Sequence, residues 1–192
     1  MMNLNFVFNR ARNLIINPKA EWTVIQSESL GKEAIIKSYA VPLMIIMAFC
    51  SILGSLIMVS NLGYAILKAL GIFGFTYAGM YISAIIINEL TTSFNSKKDI
   101  NTTFRLVVYS FTAYFIMSAI AFLWPPIGML SIFGAFSIYL FWVGTTVLLE
   151  TPEDNKVGFV VVSTLVIVGV FAILFLILQG ILTTVFTVKF LG

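Results

Sequence analysis

The sequence predicts an all-α, polytopic membrane protein: a bundle of five transmembrane helices preceded by short amphipathic helices. Hydrophobic residues make up 60% of the 192 residues and charged residues only 10%, whereas ordinary soluble domains carry about 25% charged residues. Five long apolar runs account for most of the chain. Each is close to the roughly 20 residues that a helix needs to cross a hydrocarbon layer of about 30 Å. Because a backbone in lipid must satisfy its own hydrogen bonds, such runs favour helices.

The N-terminal segment, residues 1–38, is predicted to form two short amphipathic helices on the cytoplasmic side. The first carries an apolar stripe at helical spacing, made of Leu4, Val7, Phe8, Ala11, Leu14 and Ile15. Asn17 suits a helix N-cap and Pro18 the first helical position, so the second helix begins there and ends before Gly31. Two alternatives remain open. The segment lies on the membrane with Trp22 at the level of the headgroups, or it packs under the bundle without touching lipid.

The five-span membrane domain is predicted over residues 39–192, and with the N-terminal segment it forms one domain overall. Pro125-Pro126 cannot continue a helix, so a tight hairpin is expected between the third and fourth spans. The tail, residues 179–192, begins at Gln179-Gly180 and either continues the last helix or lies in the interface. The predicted spans are about 39–59, 64–88, 106–124, 127–149 and 157–178.

The basic residues predict the orientation. Five lie in the N-terminal segment, three follow the second span and one follows the fourth, whereas only Lys68 and Lys189 fall on the other side. Because Lys and Arg stay in cytoplasmic loops, we expect a cytoplasmic N-terminus and a C-terminus outside. The orientation of the helices therefore accounts for the net charge of +3. Nucleic-acid binding is not indicated, because the sequence has no cluster of basic residues with interleaved aromatic residues.

The composition argues against several kinds of chemistry. Histidine is absent and Cys50 is the single cysteine, so a zinc site of the usual Cys/His type is not expected. No ionisable residue lies near the centre of a span, which argues against a proton-coupled transporter and an intramembrane protease. A passive pore, or a site made of carbonyls and hydroxyls, remains compatible with the sequence. No cofactor is predicted.

One polar pair closes the second span. Asn88 and Glu89 lie at its cytoplasmic end, where the helix dipole opposes a carboxylate. We therefore expect a cationic partner for Glu89, either Arg105 or a nearby lysine. The alternative is that the pair forms a ligand or partner site facing the cytoplasm.

Several short motifs, in order along the chain, resemble a known family. They are NPKAEW at Asn17–Trp22, YAVPL at Tyr39–Leu43, INEL at Ile87–Leu90 followed by Phe94, YSFT at Tyr109–Thr112, FSIYLFWVG at Phe136–Gly144, and Thr151-Pro152 before Lys156. In these motifs, and over nearly its whole length, the chain resembles the bacterial branch of the Yip family, the Ypt/Rab-interacting-protein domain. Ala113 replaces a proline that many relatives have, so a proline kink in the third span is not expected. The acidic Asp-Leu-Tyr-Gly-Pro motif of the eukaryotic branch is absent, so binding to Rab-type GTPases is not implied.

The resemblance implies a non-enzymatic integral membrane protein of a bacterial cytoplasmic (inner) membrane, acting as a scaffold, adaptor or membrane-shaping element. Its expected partners are the lipid bilayer and an unknown membrane or cytoplasmic protein, with a homo-oligomer as an open alternative. Trp22 and Tyr39 are expected to anchor at the interface. The candidate contact surface comprises Trp22, Tyr39, Pro42, Asn88, Glu89, Arg105, Tyr109, Ser110, Tyr139 and Gly144.

Two other functions stay open. A small transporter or channel for an uncharged or lipidic solute would be lined by Ser110, Tyr114, Tyr139 and Thr145. An enzyme, the least favoured class, would have only Glu89 and Glu150 as acid–base groups near the cytoplasmic face.

Overall fold

A computed structural model describes residues 4–187, and within this range the chain folds entirely into helices and their connections. The seven helices are α1 (Leu4–Ile16), α2 (Pro18–Ser27), α3 (Lys32–Val59), α4 (Leu62–Phe94), α5 (Ile100–Leu123), α6 (Phe136–Leu149) and α7 (Glu153–Thr187). Five segments are long and apolar enough to cross a membrane: α3, α4, α5, Ile132–Leu149 and nearly all of α7. The predicted all-α, five-span class is therefore confirmed.

The short helices α1 and α2 pack against one end of the bundle. We call this the polar end, and it also includes the α4–α5 and α6–α7 connections. Val7, Ala11 and Leu14 bury the inner face of α1. The side-chain amide of Gln26 on α2 donates to the carbonyl of Val147 at 2.7 Å, which joins α2 to the end of α6.

The long helices approach closely where one of them carries a small residue. A Cβ on Gly54 would lie 1.9 Å from the carbonyl oxygen of Phe122, so only glycine allows this contact between α3 and α5. On α4, a Cβ on Gly71 or Gly79 would meet side chains of α7 at 2.2 and 2.9 Å. Small residues thus set the spacing of the bundle.

The chain reverses at Pro125-Pro126, as the sequence predicts. The amide of Tyr114 on α5 donates to the hydroxyl of Ser137 at 3.0 Å, and a Cβ on Gly134 would lie 3.5 Å from the Cα of Tyr114, so the returning limb lies against α5. This limb begins as a 3₁₀ segment, Pro125–Ala135, so α6 begins at Phe136 rather than near Ile127. The two prolines occupy the first positions of the 3₁₀ segment, where an amide hydrogen would have no helical partner.

Two other membrane helices, α7 and α5, show features that the sequence left open or did not predict. α7 continues through Gln179-Gly180 to Thr187, so the first part of the tail extends the helix; residues 188–192 lie outside the described range. α5 is interrupted at Phe111, whose ψ is −2°. The Thr112 hydroxyl donates to the carbonyl of Tyr109 at 2.6 Å. Such local bonding by a threonine competes with helical geometry, so the interruption needs no proline at Ala113.

Asp99 is the N-cap of α5. Its carboxylate accepts hydrogen bonds from the amide and the hydroxyl of Thr102. Burial by itself raises the pKa of Asp99, but these bonds, a further backbone bond from Asn101 and the charge of Arg105 together hold the pKa below its ordinary value. The capping contribution is therefore fully present above the ordinary pKa and is lost as the pH falls through the lowered one.

Replacing Asp99 with alanine should destabilise the protein by about 1 kcal/mol near pH 7, which is typical for loss of an N-cap. The midpoint of thermal unfolding in detergent micelles, compared at pH 7 and pH 3, measures this. The difference in this midpoint between Asp99→Ala and the unmodified protein should be smaller at pH 3, where protonation of Asp99 weakens the cap in the unmodified protein. Asp154→Ala, in the exposed first turn of α7, is the control. An equal effect of Asp99→Ala at both pH values would contradict the capping role.

Candidate functional site

A buried ion-pair cluster joins α1 to the end of α2. The Arg10 side chain is only 6% exposed, and its guanidinium donates to Glu21 at 2.6 Å and also to Glu28. The same guanidinium lies 5.3 Å from the ring centre of Phe6 and 5.5 Å from that of Tyr109. A buried charge is tolerated when it is paired in this way, and the two rings add cation–π attraction.

Arg105 reaches the same place from α5. Its guanidinium donates to the carbonyl of Ile25 at 3.3 Å and to the carbonyl of Glu28, and also to the hydroxyl of Thr102 at 3.0 Å. The carbonyls at a helix C-terminus lack helical partners and carry partial negative charge. Arg105 therefore holds the end of α2 against the bundle. We call Arg10, Glu21, Glu28 and Arg105 the clamp.

An aromatic cluster lies beside the clamp. Trp22 is fully buried, with its ring 6.4 Å from that of Tyr109, and Tyr109 in turn lies 4.8 Å from Tyr39. A Cβ on Gly144 would fall 2.7 Å from the indole of Trp22 and 2.6 Å from Leu106. Gly144 on α6 thus provides the space that the indole fills.

The expectation that Trp22 and Tyr39 anchor at the membrane interface is wrong. Both side chains are completely buried, and the Tyr39 hydroxyl lies 2.7 Å from that of Thr112 inside the bundle. Pro42 is also buried, one turn after Tyr39 on α3. Of the two alternatives for Trp22, the structure has the segment packed under the bundle, because α6 offers the indole a closely fitting apolar site.

Asn88 and Glu89, the predicted polar pair at the end of the second span, do not share one environment. Asn88 is buried and accepts a hydrogen bond from the Thr103 hydroxyl at 3.1 Å. Glu89 is exposed and pairs with Lys98 at 2.6 Å. Of its two expected partners, the nearby lysine is the one found, because Arg105 is engaged in the clamp. An exposed pair of this kind contributes little to stability.

Residues 12–185 match the family model described as the Yip1 domain. The chain belongs to the Yip1 domain family. Comparisons with curated proteins and with solved structures give no match. The resemblance to the Yip family is thereby confirmed, and the five apolar helices make this Yip1 domain an integral membrane protein in contact with a lipid bilayer.

The Yip1 domain brings together only part of the predicted surface. Trp22, Tyr39, Tyr109 and Gly144 meet in the aromatic cluster, with Arg105 in the adjoining clamp. Five predicted residues lie elsewhere. Pro42 is buried on α3, and Asn88 and Glu89 lie near the end of α4. Ser110 is buried in the wall of a cavity of about 550 Å³, and Tyr139 is 43% exposed on α6.

Sequence reasoning missed Arg10, Glu21 and Glu28 as members of this site. A signal for Arg10 was present, because it follows Val7 by three residues and precedes Leu14 by four, which puts it on the buried face of α1. Glu89 and Glu150, the two acid–base candidates, are both exposed and pair with Lys98 and Lys97. Among residues 4–187, no three His, Cys, Asp or Glu side chains are grouped to hold a metal ion.

The connections at the polar end of the Yip1 domain are tied to each other. The hydroxyls of Ser96 and Thr151 lie 2.7 Å apart, and the amide of Lys97 donates to the carbonyl of Leu149 at 2.8 Å. The side chain of Asn155 donates to the carbonyl of Phe94 at 3.2 Å. The polar end is therefore a continuous, hydrogen-bonded surface rather than a set of independent loops.

Proposed function

We propose that this Yip1 domain is a non-enzymatic scaffold, adaptor or membrane-shaping protein of a bacterial cytoplasmic membrane, with α1 and α2 as its contact platform. One observation carries the proposal. The clamp fixes the platform to the bundle, yet the outward side of α1 remains strongly apolar. Phe8 is 68% and Ile16 69% exposed.

The outward side of α1 has the character of a contact surface. Leu4, Phe8 and Ile15 are separated by four and seven residues, so they share one face of the helix. Arg12 lies next to this face and is exposed. Apolar residues beside a basic one suit insertion into an anionic membrane surface or contact with a partner protein.

The orientation of the platform is part of the proposal. Nine of the eleven basic residues belong to the N-terminal segment or to the connections at the polar end. The excess of Lys and Arg in short cytoplasmic segments supports a cytoplasmic polar end. The partner would then be a cytoplasmic or membrane protein, the inner leaflet, or a second copy of this chain.

The transporter alternative receives less support. Its four expected lining residues do not form one path: Ser110 and Tyr114 line an apolar cavity, Tyr139 is exposed on α6, and the buried Thr145 hydroxyl donates to the carbonyl of Phe141 at 2.7 Å. Within the described part of the chain these four residues do not line one polar route, so the geometry gives no support to an uncharged polar solute. The apolar cavity is the one feature that suits the lipidic solute of this alternative.

Site-specific photocrosslinking in native membranes tests the proposal. A photoreactive phenylalanine at Phe8 or Ile16 should capture molecules that the same probe does not capture at Phe49, which is exposed on α3 and serves as the control. A recurrent protein would support an adaptor. Capture of lipid headgroups or of another copy of the chain would support membrane shaping. Identical products from Phe8, Ile16 and Phe49 would contradict the contact platform.

Single substitutions on the outward side of α1 test the contact platform more cleanly than removal of the whole helix would. Removing residues 1–17 also removes Arg10, which leaves Glu21 and Glu28 without their buried partner. Phe8→Ser and Ile16→Ser change only exposed positions, so both variants should remain folded and inserted. Capture from the remaining probe position should fall several-fold if the apolar face makes the contact.

A further inference from the structure

Lys68 lies in the membrane part of the bundle without any acidic neighbour. It follows Leu62, the start of α4, by six residues, which places it about 9 Å along the helix from the end opposite the polar end. Its ammonium group lies 5.8 Å from the ring centre of Tyr64 and 5.9 Å from that of Phe122. A lysine within a span is costly unless it is paired or reaches the interface.

No side chain of this protein is placed to neutralise Lys68. All eight carboxylates occur in the N-terminal segment, at the start of α3, at the end of α4, or at the starts of α5 and α7, which are all at the polar end. They are Glu21, Glu28, Glu33, Glu89, Asp99, Glu150, Glu153 and Asp154. Any carboxylate or phosphate that pairs with Lys68 would therefore come from a group other than these eight side chains.

Lys68 lines a cavity that adjoins a larger apolar one. The first has a volume of about 190 Å³ and is also lined by Thr76 and Gln179. The second, of about 550 Å³, shares the walls formed by Tyr114, Phe171 and Phe175 with the first. Volumes of about 300–1,000 Å³ are usual for sites of small apolar ligands.

The dimensions match one lipid chain. Along α7 the residues that line the two adjoining cavities extend from Gln179 to Thr164, which is fifteen residues or about 22 Å at the rise of an α-helix. One leaflet accounts for about half of the roughly 30 Å hydrocarbon layer. A chain that starts at Lys68 would therefore reach past the middle of the membrane inside this cavity.

We propose that this cleft binds one anionic phospholipid, with its phosphate at Lys68 and one acyl chain in the apolar cavity between α5, α6 and α7. The cation at the mouth selects the negative headgroup, because basic side chains between membrane helices bind such headgroups. The apolar walls accept the chain. This site is separate from the contact platform and does not depend on the proposed function.

Native mass spectrometry of the purified protein with equal amounts of phosphatidylglycerol and phosphatidylcholine tests the headgroup. The protein should retain one phosphatidylglycerol. Lys68→Gln should lower the preference over phosphatidylcholine about fivefold, which is the order expected when one basic side chain no longer attracts a headgroup of net negative charge. Lys68→Arg should keep the preference, and so should the control Lys97→Gln at the polar end.

A second pair of variants tests the acyl-chain cavity. Ala172→Trp fills the wall of the larger cavity and should abolish lipid retention. Ile173→Trp is the matched control, because Ile173 is the next residue on α7 but faces outward and does not line the cavity. Retention by the control with loss in Ala172→Trp supports the proposal. If Ala172→Trp fails to fold, the comparison of Lys68→Gln with Lys68→Arg still decides the matter.

Three results would overturn the proposal: equal retention of the two lipids by the unmodified protein, binding of inorganic phosphate without lipid, and a dimer that carries no lipid. Phe8→Ser should leave lipid retention unchanged. Failure at the contact platform and failure at the lipid site are therefore distinguishable.

Discussion

Arg10→Gln should destabilise the protein by about 3–5 kcal/mol, the usual cost of removing one partner from a buried ion pair. The variant leaves the carboxylates of Glu21 and Glu28 in a largely buried site without their shared cation. It also removes the charge that lies against the rings of Phe6 and Tyr109. Denaturant titration in detergent micelles gives the free energy of unfolding, and limited proteolysis reports separately whether α1 and α2 detach.

Arg12→Gln is the matched control for this prediction. Arg12 lies two residues away on the same helix but is exposed, so its replacement should change the free energy of unfolding by less than about 0.5 kcal/mol. Neutralising Glu21 and Glu28 together with Arg10 should recover part of the loss, because no buried charge then remains unpaired. Equal effects of Arg10→Gln and Arg12→Gln would show that the clamp does not hold the platform.

Trp22→Ala should cost about 3–5 kcal/mol, as is typical when a fully buried aromatic side chain is truncated. The indole fills the space between Gly144, Leu106 and Tyr109, and its removal leaves a cavity where α2 crosses α6. The free energy of unfolding measures the effect. Trp124→Ala is the control, because Trp124 is 48% exposed. A similar loss in both variants would contradict the buried role of Trp22.

A double-mutant cycle with Gly144 tests the same contact from the other side. Gly144→Ala alone should cost about 1–3 kcal/mol because its methyl group overpacks the site. In the Trp22→Ala background the contact with the indole is gone and only that with Leu106 remains, so the two effects should add to less than their sum. Additive effects would mean that the indole and Gly144 are not in contact. Both single variants should also weaken capture from Phe8, since they loosen the platform that presents it.

The aromatic cluster and the clamp define what the N-terminal helices can do. α1 and α2 are packed against the bundle by charge pairs, a capped helix end and one buried indole, so the platform moves with the membrane helices. A platform of this kind transmits contact with a partner or a leaflet directly to the bundle. The lipid site proposed at Lys68 lies toward the other end, so the two halves of the protein would face different sides of the bilayer.

The class of this protein follows from its sequence alone. In hydrocarbon the backbone must form its own hydrogen bonds, so the five apolar runs specify helices without reference to any neighbour. The two N-terminal helices were also predictable, because the apolar stripe of α1 and Asn17-Pro18 are local signals. The ordered motifs from Asn17 to Lys156 were enough to identify the family, which the match over residues 12–185 confirms.

Only the tertiary structure showed which residues contact Trp22 and Arg105. An aromatic residue on an amphipathic helix is compatible with both a membrane interface and a buried site. Trp22 is buried because Gly144 on α6 leaves room for its indole. Glu89 is closer to Arg105 in the sequence than the end of α2 is. In the folded protein, however, Arg105 donates hydrogen bonds to the carbonyls of Ile25 and Glu28 at the end of α2, because the packing of α2 on the bundle places these carbonyls next to it. Pro125-Pro126 predicted the reversal of the chain but not the 3₁₀ form of the limb that follows it. In each case the local sequence is compatible with more than one structure. Contacts between residues far apart in the chain determine which structure forms, and local sequence patterns do not reveal those contacts.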